Sequence, residues 1–166
     1  LEDDGPNPEL VDFTRRFWAG AVLTIPVLVL AMGPFVGFTY FMELLGERPS
    51  LWLELALSTP VILWSGWPFF VRGYQSFRTM NLNMFSLISM GVGAAYIFSI
   101  VAVIAPQIFP SGFRDENGNV GVYFEAAAVI VTLVLLGQVM ELRAREATGN
   151  ALRSLLDLTP ETALRI

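Results

Sequence analysis

Four apolar stretches divide the chain, over residues 17–41, 51–70, 84–105 and 120–141, with polar segments between them. Each is about 20 residues or longer, enough for a helix rising about 1.5 Å per residue to cross about 30 Å of hydrocarbon. A helix buried in a soluble bundle keeps a polar face at helical spacing, and none of these stretches shows one. The pattern predicts an all-α integral membrane protein of four transmembrane helices. The second stretch closes on Ser65-Gly66-Trp67-Pro68. Gly weakens a helix there, and Pro removes a backbone hydrogen bond and clashes with the preceding turn, so a kink is expected. Residues 68–78 mix aromatics with Arg72 and Arg78. They are expected to lie in the interface as an amphipathic helix, either a basic docking platform or a simple anchor.

The arginines orient this arrangement. Arg15 and Arg16 precede the first stretch, Arg72 and Arg78 follow the second, and Arg143, Arg145, Arg153 and Arg165 follow the fourth. The remaining two connections carry Arg48 and Arg114 alone. By the positive-inside rule both termini and the central connection are expected in the cytoplasm, and the loops 43–50 and 106–119 outside. Residues 1–15, with Glu2, Asp3, Asp4, Glu9 and Asp12, are expected to form a disordered acidic tail around the start of the membrane region at 16–141. Residues 142–166 read as a cytoplasmic helical extension that breaks at Thr159-Pro160.

Composition narrows the chemistry. The chain is 54% hydrophobic and 15% charged, against about 25% charged in soluble domains. Its formal charge of −5 gives no basic surface for nucleic acid. With no Cys and no His, it has no disulfide, thiolate or imidazole site.

Three residues then stand out. Glu125 falls just inside the outer end of the fourth stretch. A carboxylate at membrane depth costs a few kcal/mol and either marks an ion path or reaches back to the headgroups. Glu141 lies at the opposite end of that stretch, where an i,i+4 pair with Arg145 is the plainer reading. Met84 begins the third stretch and Met90 follows within it. The antiparallel course of the third and fourth stretches sets Met84 at the depth of Glu141. A soft thioether selects Cu(I), although Met more often fills a core. Gly91, Gly93, Ala94 and Ala95 are expected to offer a small-residue surface for helix packing.

Leu82-Asn83-Met84-Phe85-Ser86-Leu87, Val122-Tyr123-Phe124-Glu125-Ala126-Ala127-Ala128 and Leu135-Leu136-Gly137-Gln138-Val139-Met140-Glu141 resemble the copper-transporting P-type ATPases, the class IB heavy-metal pumps. Ala147-Thr148-Gly149 through Thr159-Pro160-Glu161-Thr162-Ala163 resembles that family's lead into its actuator domain. The resemblance implies two class-specific helices followed by the first two of the shared core. It implies a Cu(I) entrance at Met84 and Glu141 and an exit-path carboxylate at Glu125. It also implies a docking platform at Gly66, Trp67, Pro68, Arg72 and Arg78 for a copper chaperone or an N-terminal metal-binding domain. The family's usual Gly-Gly is Ser65-Gly66 here. ATP and Mg would act through further domains of the pump. The chain contains neither Cys-Pro-Cys, Asp-Lys-Thr-Gly-Thr nor Thr-Gly-Glu. It therefore carries no catalytic residue of its own, and alone it is expected to be inactive. The family places it in a bacterial inner membrane. A non-catalytic four-helix subunit or interaction module, and a Zn(II)-type pump, are the alternatives from residues alone.

Overall fold

The computed structural model describes residues 7–37 and 40–158. Among these residues six α-helices carry the fold, α1 (Pro8–Met32), α2 (Tyr40–Leu45), α3 (Glu47–Thr59), α4 (Trp67–Arg78), α5 (Met84–Ile104) and α6 (Phe124–Asp157). A π-helical turn over Pro60–Ser65 joins α3 to α4, and no strand occurs among the described residues. α1 runs along α6, α4 along α5, and the π turn lies against both α1 and α6.

The helix starts follow local chemistry. Asn7 accepts the Glu9 amide at 3.0 Å, and Pro8, which has no N–H to leave orphaned, takes the first helical position. The expected tail is thus helical from Pro8 onward, while its residues 1–6 lie outside the described residues, as do 159–166 with the Thr159-Pro160 break. α5 starts on a reciprocal cap. Asn83 Oδ1 accepts the amides of Phe85 at 2.9 Å and Ser86 at 3.3 Å, and Ser86 Oγ accepts the Asn83 amide at 3.0 Å. Met84 is thereby fixed as the first residue of α5.

Among the described residues three helices, α1, α5 and α6, are long and apolar enough to cross a membrane. Their outward side chains are apolar: Val22, Ile25, Leu87, Ile97 and Leu133 are largely exposed. Such a surface suits hydrocarbon, and the chain is an integral membrane protein. Residues 47–78 are not one helix of that kind. The Gly66 amide donates to Val61 O at 3.0 Å, a wide π-type bond, and α4 starts afresh behind it. A Cβ on Gly66 would meet Ile62 O at 2.5 Å. Ser65 is buried with its hydroxyl donating to Arg16 O at 3.0 Å.

Between helices the buried contacts are apolar with a few hydroxyl links. Thr132 donates to Ala128 O at 2.8 Å, so its contact of 3.1 Å with Thr24 is one in which Thr24 donates. Thr59 is spent on Leu55 O at 2.6 Å, and Tyr96 OH donates to it at 2.7 Å. Such bonds join helices where no water competes. The small-residue stretch of α5 packs in part: a Cβ on Gly93 would be in ordinary contact with Phe70 at 3.7 Å and Ala95 lies against the core, while Gly91 is open. A Cβ on Gly91 would meet nothing within 4 Å, whereas one on Gly73 of α4 would meet Ser89 Oγ at 2.1 Å and Phe85 O at 2.8 Å. Gly73 lets α4 approach α5, because a side chain there would strike backbone.

Candidate functional site

The α5 cap and the reversed course of α6 bring two of the candidates together. Met84 and Glu141 both line a cleft of about 330 Å³, with Glu9, Arg72, Phe85 and Arg145 around them. Met84 is half exposed at this cleft. Glu141 Oε1 accepts from Arg145 at 2.6 Å and Oε2 from Gln138 Nε2 at 3.3 Å. That i,i+4 pair is solvent-facing and contributes about 0–1 kcal/mol, so it does not lock the carboxylate away. Met90 is exposed on the outer surface and does not line the cleft.

Arg72 turns toward this cleft. It pairs with Glu9, and its guanidinium carbon stands 5.2 Å from the Phe13 ring and 5.1 Å from the Phe85 ring. Phe69 stacks on Phe85 at 5.9 Å, completing an aromatic bed beside Met84. Of the other residues expected to form a docking platform, Trp67 and Arg78 are exposed, Gly66 is buried and Pro68 is half-buried. α4 buries Phe69, Gly73 and Ser76 on one face and leaves Trp67, Tyr74 and Arg78 on the open side, the two-sided pattern of an interfacial helix.

Glu125 lies far from both. It stands in the first turn of α6, about 24 Å of helix from Glu141 at about 1.5 Å per residue. There it lines a vestibule of about 630 Å³ together with Glu47, Glu54, Arg114, Asp115 and Asn119. The Glu125 Oε2 atom is buried without a hydrogen-bond partner, and so is Oε2 of Glu54, a residue only 4% exposed. Arg48 ties the rim, donating to Val103 O at 2.7 Å and to Asn119 Oδ1 at 3.3 Å. No group of three or more His, Cys, Asp or Glu is set to hold a metal ion among the described residues.

Glu9 and Glu54 had no place among the sequence candidates. Asn7-Pro8-Glu9 is a helix-start signature that could have found the first. A lone acid within the apolar stretch 51–70 was the signal for the second.

The chain is 56% identical over 164 residues, 99% of its length, to a copper-transporting P-type ATPase of Rhizobium leguminosarum bv. viciae. It is 58% identical over 160 residues, 96% of its length, to a copper-exporting P-type ATPase of Legionella pneumophila. With a silver exporting P-type ATPase of Salmonella typhimurium it shares 51% identity over 162 residues, 98% of its length. It spans 19%, 21% and 20% of these relatives, about a fifth of each. No protein-family profile matches the chain.

Proposed function

We propose, since the chain belongs to the family of the copper-transporting P-type ATPases, that it lines the membrane path by which such a pump carries Cu(I) out of the cytoplasm. The stretch 47–78 is the fourth crossing, bent at Gly66, and both termini face the cytoplasm of a bacterial inner membrane, as the arginine distribution favours. Residues 142–158 lead toward an actuator domain. ATP and Mg act in parts of the pump beyond this sequence, which makes the whole protein a translocase and this chain its conduit.

Cu(I) enters at Met84 and Glu141 and leaves past Glu125. The platform of Gly66, Trp67, Pro68, Arg72 and Arg78, with Trp67 and Arg78 on its open side and Arg72 toward the cleft, receives a copper chaperone or a metal-binding domain of the pump. The observation that carries this reading is that Met84 and Glu141 line one cleft. Its chemistry suits a handover. The thioether selects a soft monovalent ion, and the carboxylate supplies charge without the grip of a thiolate. Arg72, held by Glu9 and two rings, keeps a second positive charge at the wall of the cleft. An ion resting there is pushed onward rather than trapped.

The test places Met84→Leu and Glu141→Ala in the complete pump and follows Cu(I)-stimulated ATP hydrolysis. Each substitution is expected to raise the Cu(I) needed for half-maximal stimulation about tenfold, a modest loss for a site of this kind. An unshifted curve in both variants removes the entrance from these residues.

A further inference from the structure

We propose that Glu54 and Glu125 together form a weak cation site in the vestibule, a second oxygen donor from α3 meeting the one from α6 on the outward path of the ion. This rests on the reading of Glu125 as part of the exit, and adds a residue to it.

The reason lies in two carboxylate atoms without partners. Glu54 is 4% exposed in a helix whose neighbours are Leu53 and Leu55, and its Oε2 accepts no hydrogen bond. Oε2 of Glu125 is orphaned in the same way, and both residues line the one vestibule. A buried ionised carboxylate with nothing to offset it costs several kcal/mol, so native proteins keep one where a cation or proton arrives to answer it. Arg114 lines the same space, yet its Nε is itself buried without a partner, and no ion pair joins it to either acid among the described residues.

The donor set also fixes the strength. Carboxylate oxygens are hard ligands and hold a soft d10 ion loosely. Two of them, with no third acid, Cys or His grouped to hold metal among the described residues, make a stopping point rather than a trap. Glu47 and Asp115 at the mouth add negative potential that draws the cation outward.

The whole chain in lipid nanodiscs, carrying Met84→Leu and Glu141→Ala to silence the other cleft, is dialysed to equilibrium against Ag(I), a redox-inert d10 ion, and bound silver is measured by elemental analysis. Glu54→Gln and Glu125→Gln are each expected to weaken binding about tenfold, the scale of a lost supporting ligand. Silver unchanged by Glu54→Gln but lost with Glu125→Gln overturns the proposal and leaves the exit reading standing. Silver unchanged by both overturns the two together. If Glu54→Gln does not assemble, Glu54→Leu removes the charge without leaving a polar group unsatisfied, and the same outcomes apply.

Discussion

At the cleft, Glu9 answers Arg72, Arg145 answers Glu141, and Phe13 and Phe85 face the Arg72 guanidinium. At the vestibule, Glu54 and Glu125 each bury a carboxylate oxygen that nothing answers. One end of the bundle thus has its charges satisfied when no ion is present, and the other holds two carboxyl oxygens open to a cation or a proton. A cation therefore has less to gain at the first end than at the second. Charge removal should therefore have opposite signs at the two ends, and three measurements press on that contrast.

The largest effect belongs to the helix contact that shapes the cleft. In Gly73→Ala the new Cβ would sit 2.6 Å from Ser89 Cβ and 2.8 Å from Phe85 O, and the backbone atom cannot swing aside. Overpacking of this kind costs about 3 kcal/mol at the upper end of its range. α4 and α5 should separate, moving Phe85 and Met84 with them. Gly91→Ala, which meets nothing within 4 Å, is the matched control and should gain about 0.5–1 kcal/mol of helix stability. Equal melting temperatures for the two variants in detergent would break the assignment of the close contact to α4.

The second measurement sets the ends against each other directly. Glu54→Leu removes a buried carboxyl whose Oε2 has no hydrogen-bond partner and should stabilise the ion-free protein by about 1–3 kcal/mol. Arg72→Met removes one surface ion pair and two ring contacts and should destabilise it by about 1–2 kcal/mol. Thermal unfolding in the same detergent reads both. Shifts of the same sign would mean the two ends do not differ in how they carry charge.

Part of this contrast was legible in the sequence and part was not. Hydropathy located the third stretch at 84–105, and α5 runs Met84–Ile104, since an uninterrupted apolar run bounded by Asn83 and Pro106 has few other solutions. The first stretch begins earlier than apolarity alone implies. Capping by Asn7 and Pro8 extends α1 through charged residues that a hydropathy reading assigns to a tail. The meeting of Met84 with Glu141 followed from antiparallel helices and span length. Glu54 did not follow from anything local. Its burial depends on which side of α3 packs on α1 and α6, helices far away in the chain. The direction Arg72 takes was hidden for the same reason, because Glu9, Phe13 and Phe85 from two other helices turn it toward the cleft.

The smallest effect concerns the rim of the vestibule, where Asp115 organises the loop before α6. Its Oδ1 accepts the amides of Asn117 and Asn119, each at 2.9 Å, and the Asp115 amide donates to Asn119 O at 2.9 Å. Hydrogen bonding with the Glu47 carboxyl, followed by these loop amides, holds the Asp115 carboxyl below the usual carboxylate range. A lowered folded-state pKa stabilises the loop above the unfolded value of about 3.9, and the stabilisation fades as pH falls through the lower folded value. Hydrogen-exchange protection of the Asn117 and Asn119 amides should thus hold at pH 6 and decline only in strong acid. Asp115→Asn should lower that protection at pH 6 and flatten its dependence on pH. Because Glu47 also accepts from Asn117 Nδ2 at 2.6 Å, loosening the loop frees it from α3, and the mouth above Glu54 and Glu125 opens. A pH profile identical in Asp115→Asn and the parent chain would mean that the rim is held by Arg48 on Asn119 and Val103 alone, and that the acids at the mouth steer ions without shaping it.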